Sequence, residues 1–263
     1  MACKKAFRTK RRCSGSNGAE TFGEFMSDQL IFGVNSDMRS DDVLQNNLSL
    51  FEWATRNKIY PSFWGRNLSG ENALTHEEIN FLHSQGCKIV AMYQTNTPKA
   101  TEDQGRATGK DVCRIASMLD IPEGTAIFLE VSDVETMTTD FMKGYALELR
   151  EHWYTPAFRA NTDATFKFDC EYSRGRQIDK DLFGSCLIWA TAPTLPEYNR
   201  MTTTHLIHPD QWKPYAPSSI ARADIAIWQY GTDCHPIYDD ENRMTSFNVH
   251  LVNNEEIIIN AMF

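Results

Sequence analysis

No apolar run in this chain approaches the roughly 18 residues that a helix needs to span a bilayer. The longest, Lys88-Ile-Val-Ala-Met-Tyr93 and Ile257-Ile-Ile259, have the length of strands, so no membrane span is expected. The basic opening, Met1 to Cys13, is not followed by an apolar segment. A classical secretory leader is therefore not expected, and the chain is expected in the cytoplasm or released without one. Cys-x-x-Cys pairs are missing too. The seven cysteines, Cys3, Cys13, Cys87, Cys113, Cys170, Cys186 and Cys234, are odd in number and widely spaced, which argues for reduced thiols rather than zinc or a dithiol pair. Cys87, Cys113 and Cys186 lie in apolar periodic segments and are expected in the core.

Other absences narrow the chemistry. There is no Gly-x-Ser-x-Gly elbow and no dinucleotide fingerprint, and Gly105-Arg-Ala-Thr-Gly-Lys110 lacks the spacing and the Ser/Thr of a phosphate loop, so it reads as part of a helix. No His-Glu-x-x-His occurs among His76, His83, His152, His205, His208, His235 and His250, so neither a metal site nor a cofactor is expected. Basic residues are scarce outside the first twelve positions. Those twelve hold 6 of the 26 Lys and Arg, leaving 20 against 35 acidic residues and a body of formal charge −15. An acidic body excludes ordinary nucleic-acid binding, which depends on Lys and Arg neutralising phosphates. Residues 1–29 read as a basic, flexible arm, alternatively a tether to an anionic surface.

What is present is a large α/β domain from residue 30 to 263. Hydrophobic residues make up 41% and charged residues 23%, enough apolar side chains for a sizeable core. Short apolar runs alternate with helical patterns about every 30 residues, the signature of βα units and a parallel sheet. Strands are expected at Leu30–Val34, Ser62–Arg66, Lys88–Tyr93, Ala126–Val131, Thr155–Arg159, Ser185–Ala190, Ile225–Tyr230 and Ser246–Val252. Helices fall at Asp42–Arg56, after a capping box of Thr75 and Glu78 with Gly86 as the stop, around Val112 to Leu119, and through Phe141, Tyr145 and Leu149. The fold expected is an irregular (β/α) TIM-type barrel, with about five βα units followed by three strands with few helices.

In such barrels the loops at the C-terminal ends of the strands build the site. The residues there are Asn35 and Asp37, Arg66, Tyr93 and Gln94, Glu130, Ser132 and Asp133, Arg159 and Asn161, Trp189, Gln229 and Tyr230, then Ser246 and Asn248. Polar groups interleaved with aromatics suit a sugar, whose C–H faces lie on rings and whose hydroxyls need forked partners. Trp64, Tyr93, Trp189, Trp228 and Tyr230 could supply the rings or could simply pack the barrel. Strand parity places Trp228 and Gln229 on opposite faces.

The segments Phe32-Gly-Val-Asn35, Trp64-Gly-Arg-Asn-Leu-Ser-Gly70 with Leu74-Thr75 and Glu78, and Gly86-Cys-Lys-Ile-Val-Ala-Met-Tyr-Gln94 recur in order with Ile121-Pro-Glu-Gly-Thr-Ala-Ile-Phe128, Ile188-Trp-Ala190 and Asp224-Ile-Ala-Ile-Trp-Gln-Tyr230. Through them, from about Ile31 to Val252, the chain resembles bacterial glycoside-hydrolase-like barrel domains related to the lysozymes of glycoside hydrolase family twenty-five. The resemblance implies a cell-wall-type polysaccharide, peptidoglycan-like, as ligand or substrate, and carboxylates ending strands one, four and eight. Here the pattern is broken. Asn35 stands for the Asp of strand one, Glu130-Val-Ser132 for the Asp-x-Glu of strand four, and Ser246 for the Asp of strand eight, with Asn248 kept. Glycosidases use two carboxyl groups. A glycosidase would have to recruit Asp133 through a bulge, or Asp37, beside Glu130 as proton donor. Otherwise the barrel is a non-catalytic carbohydrate-binding module or a protein-interaction barrel. Substrate contacts are expected from Asn35, Arg66, Tyr93, Gln94, Ser132, Arg159, Asn161, Trp189, Gln229, Tyr230, Ser246 and Asn248. Oligomeric state is left open.

Overall fold

The computed structural model describes residues 30–95, 100–131, 137–195, 211–235, 246–253 and 261–263. The basic arm, Ser132, Asp133, His205 and His208 lie outside these. Along the chain come β1 (Ile31–Asn35), α1 (Leu50–Arg56), β2 (Phe63–Asn67), α2 (His76–Ser84), β3 (Lys88–Tyr93), α3 (Glu102–Met118), β4 (Ala126–Val131) and α4 (Thr139–Glu151). They continue with β5 (Thr155–Ala160), α5 (Lys167–Ile178), α6 (Lys180–Gly184), β6 (Leu187–Ala190), β7 (Ile227–Cys234) and β8 (Phe247–Val252). The eight strands close into a barrel in sequence order.

The strands β1 to β7 run parallel, but β8 is antiparallel to both of its neighbours, where the sequence reading expected a parallel sheet. The reversal matters for the site. Asn35, at the C-terminal end of β1, pairs with Asn248 near the start of β8, while Ile31 pairs with Val252. A parallel β8 would have carried Asn248 to the opposite rim.

Strand alternation sorts side chains into two cores. Phe63, Val90, Met92, Ala126, Phe128, Ala157, Trp189, Ile227 and Val252 fill the barrel, whereas Phe32, Val34, Trp64, Ile89, Tyr93, Phe158, Trp228, Tyr230 and Leu251 face the helices. Both faces are buried, as in parallel sheets covered by helices. Gly33 is needed because a Cβ there would lie 2.3 Å from the ring of Phe63, which occupies the lower interior. The N-terminal rim is closed by the last three residues. Met262 and Ala261 join the barrel core, the Ile89 amide donates to the Phe263 carbonyl (2.7 Å), and the Ala126 amide donates to that of Ala261 (2.9 Å). Function is thereby left to the other rim.

Helix starts follow from capping side chains. Thr75, Thr101 and Thr138 each accept a first-turn amide, and Ser49 and Gln104 complete reciprocal boxes at α1 and α3. At α2 the expected box is only half formed. Glu78 turns inward instead, where its carboxylate meets buried Arg66 (2.8 Å) and accepts the amide and hydroxyl of Ser40 (2.7 and 2.8 Å), bonds that the N-cap amide alone would not match. Gly86, at φ +70°, ends that helix as expected. Cys87, Cys113 and Cys186 are buried thiols, and burial pushes each up to about 12. No helix of the described residues is long and apolar enough to cross a membrane.

Candidate functional site

Glu130 and Arg159 are partners across β4 and β5, both pointing into the barrel mouth. An Arg159 Nη1 proton lies on Glu130 Oε1, and Nη2 donates to Gln229 Oε1 at 2.7 Å from β7. Gln94, just past β3, donates from Nε2 to Glu130 Oε2 at 2.5 Å. The Gln229 amide in turn donates to Thr232 Oγ1 (3.0 Å). Residues at β3, β4, β5 and β7 are thus linked across the rim through one carboxylate and one guanidinium. Charge-assisted bonds of this kind fix geometry more firmly than neutral ones. Above them opens a cavity of about 450 Å³ lined by Glu130, Val131, Arg159, Asn161, Thr191, Ala192, Thr194 and Gln229.

Beneath lies a second layer. The Arg159 guanidinium carbon sits 5.3 Å from the ring centre of Trp189, a cation–π contact. Trp189 meets His250 edge-on at 4.7 Å. His250 is buried inside the barrel on β8 and donates from Nε2 to Asn35 Oδ1 at 2.7 Å. Burial, and next the charge of Arg159, hold the imidazole well below its ordinary value, so it is neutral. Asn35 therefore occupies a position where a carboxylate would face His250. Gly65 permits this packing, since a Cβ there would come within 3.0 Å of both Asn35 and Trp189.

Of the residues expected at the site, the structure gathers Glu130, Arg159, Asn161 and Gln229 on the cavity wall, with Gln94 bonded to it and Asn35 and Trp189 as its floor. Asn161 also accepts the Asp163 amide (3.0 Å). Asn248 turns its oxygen to the Asp233 amide (3.2 Å), and Ser246 lies half-buried just before β8. Others are placed elsewhere by strand parity. Arg66 is outside the barrel and buried, bonded to the carbonyls of Ser36, Met38 and Asn72 and to Glu78 Oε1 at 2.8 Å. Tyr93 also points outward, donating to Asp111 Oδ2 of α3 at 2.7 Å. Tyr230, Trp228 and Trp64 pack against the helices. Asp37 is exposed on the β1–α1 connection, with its backbone carbonyl accepting from Asn72 (3.0 Å). Ser132 and Asp133 lie outside the described residues.

Sequence reasoning missed Thr191, Ala192 and Thr194, which follow β6, and His250. The signal for His250 was available: it shares parity with Asn248, so both face inward.

Comparison with known proteins agrees with this architecture. The family model for the Rv2525c-like, glycoside hydrolase-like domain matches residues 59–244. No curated protein matches the chain significantly. Among solved structures, an uncharacterized protein of B. stearothermophilus superposes with a TM-score of 0.72 at 20% identity, covering 89% of this chain and 100% of that one. A muramidase from Acremonium alcalophilum gives 0.50 at 10% identity, over 88% and 98%. The modular autolysin LytC from Streptococcus pneumoniae gives 0.50 at 10% identity, over 84% of this chain and 46% of that one. At such identities the likeness is one of fold.

Proposed function

The chain belongs to the family of Rv2525c-like, glycoside hydrolase-like domains, and on that premise we propose that its barrel mouth binds a cell-wall-type polysaccharide without cleaving it. The observation that carries this reading is the pinned carboxylate. Glu130 has one oxygen on Arg159 and the other on Gln94, and it is the one carboxylate lining the cavity among the described residues. Two-carboxylate hydrolysis needs a mobile proton on one acid and a second acid about 5 to 10 Å away across the bond. A carboxylate whose two oxygens are already oriented by Arg159 and Gln94 presents its remaining lone pairs as acceptors for sugar hydroxyls. Asn161, Thr191, Thr194 and Gln229 add neutral donors and acceptors around it. The wall is polar and pre-organised, so little side-chain freedom is lost when a sugar docks. The fold shared with a muramidase and an autolysin fits a glycan as ligand.

Titration calorimetry with chito-oligosaccharides and peptidoglycan fragments, paired with reducing-end analysis, tests the proposal. Saturable binding without new reducing ends is expected, weakened about tenfold or more in Glu130→Gln. Absence of binding would remove the glycan reading. New reducing ends that vanish in Glu130→Gln would replace it with hydrolysis, with Asp133 or Asp37 as the second acid.

A further inference from the structure

The N-terminal rim is plugged by Ala261, Met262 and Phe263, so a partner can meet it only on its outer surface. Four of the turns on this rim share one geometry: the residue after each helix C-cap, Lys58, Gly86, Asp120 and Trp153, lies in the left-handed region, at φ +64°, +70°, +54° and +62°. Glycine suits that position, and a bulky side chain is strained there. At Trp153 burial does not offset the strain. Its backbone closes the turn, donating to the Arg150 carbonyl (3.2 Å) and accepting the Gly124 amide (2.7 Å), while the residue is 72% exposed and the other five tryptophans are buried.

Trp153 is not alone. Of the six large apolar residues exposed among the described ones, Tyr60, Met118, Trp153 and Ile178 all stand at or after the last residue of a helix, on the connections into β2, β4, β5 and β6. Apolar tips on separate turns of one rim suit a flat contact, and Trp and Tyr favour the boundary between water and lipid. Charge points the same way. Residues 55–63, 83–88, 117–126, 150–155 and 177–187, which make up the connections into β2 to β6, hold five Lys or Arg against five Asp or Glu, so this rim is neutral on a body of charge −15. The basic arm joins here as well, because Leu30 directly precedes β1. Its six Lys and Arg are crowded between Lys4 and Arg12, apart from its three acids, Glu20, Glu24 and Asp28. A cluster of that size is attracted to anionic headgroups, and apolar insertion joined to a polybasic segment supplies the two signals that lasting attachment to a bilayer requires.

We propose that the N-terminal rim is a lipid-docking face, on which Trp153, with Tyr60, Met118 and Ile178, enters the interfacial layer of an anionic bilayer while the basic cluster of the arm holds the chain there. The barrel mouth, at the other end, then faces away from the bilayer. The assignment does not rest on the glycan reading.

Vesicles of phosphatidylglycerol with phosphatidylcholine, and vesicles of phosphatidylcholine alone, test it on the full chain by sedimentation and tryptophan emission. Because Trp153 is the exposed one of six, the emission should shift to the blue on the anionic vesicles and become shielded from acrylamide. Binding should fall about tenfold in Trp153→Gly, the scale of one large apolar side chain. It should fall about a hundredfold or more when the six basic residues of the arm are all changed to Gln. Trp153→Gly should also raise Tm by about 2 to 4 °C, because glycine relieves the left-handed strain. A lower Tm would mean that the ring packs on the fold, and bound protein without an emission shift would remove the rim from the contact; either overturns the proposal. So would equal binding to both vesicle types, or no binding. Self-association abolished by Trp153→Gly would assign the face to a second copy instead.

Discussion

Lowering the pH should destabilise this barrel through His250 in particular. Its ring is buried among Trp189, Phe63 and Asn35, and the charged group facing it across Trp189 is Arg159. Both burial and that cation disfavour a proton, so the folded-state value lies well below the ordinary one. In the unfolded chain the same imidazole titrates near about 6.5. Between the two values the unfolded state binds a proton that the folded state refuses. Stability is therefore complete above about pH 7 and falls as pH drops through about 6.5 toward the folded value. Between about pH 7 and about pH 5.5 the unfolded imidazole gains about 0.9 pH-units' worth of protonation free energy, or about 1.3 kcal/mol. Urea unfolding at both pH values, for the parent and for His250→Gln, isolates this group from the carboxylates and the other histidines. The glutamine keeps an N–H for Asn35 and cannot titrate. The parent should lose about 1.3 kcal/mol more than the variant, roughly 3 to 5 °C in Tm. Equal losses in the two proteins, or an NMR titration of His250 with a midpoint above about pH 6, would refute the argument.

Further outcomes follow from the placement of other residues. Arg66→Met strands the buried Glu78 carboxylate and should cost about 3 to 5 kcal/mol by thermal unfolding, with glycan affinity unchanged below the transition; lost affinity in a folded variant would contradict its position outside the barrel. Tyr93→Phe removes the bond to Asp111 and should cost about 1.5 kcal/mol in urea, again without effect on sugar binding. Gly33→Ala drives a methyl into the Phe63 ring and should destabilise by about 1 to 3 kcal/mol; a neutral substitution would mean that the ring is free to move. Asn35→Asp places an anion 2.7 Å from His250 Nε2 and should raise the imidazole's midpoint, measurable by NMR; no rise would mean that the contact is not made.

Particular residues show how far the sequence could be read. The bounds of β3 and β4 were legible because Lys88–Tyr93 and Ala126–Val131 are continuous apolar runs between turn residues, and Thr75 marked the start of α2, whereas the N-cap of α3 at Thr101 was not read from the sequence. Helix α1 was overextended to Asp42, since its apolar spacing continues into a segment where Val43 instead bridges to Ser49. Aromatics on barrel strands carried no label for the face they occupy. Trp64 and Trp189 both end apolar runs, yet one packs on helices and the other lines the mouth, because both faces of this sheet are buried and apolarity does not distinguish them. Arg66 shows the same ambiguity for charge: a buried ion pair with Glu78 and a sugar contact look alike from the sequence.

Composition and periodicity alone determined that the chain builds one α/β barrel with an acidic body, since the alternation of strand and helix patterns leaves few ways to bury so many apolar side chains. They also located Glu130 and Arg159 near the C-terminal ends of their strands, whereas Gln229 lies within β7, which runs on past the expected end at Tyr230 to Cys234. Tertiary structure alone decided that β8 runs backwards to bring Asn248 to the rim and His250 beneath it, that Arg66 and Tyr93 leave it, and that Glu130 is clamped between Arg159 and Gln94. Direction, parity and partner are relations between segments far apart in the chain, set when the barrel closes, and local residue patterns do not encode them.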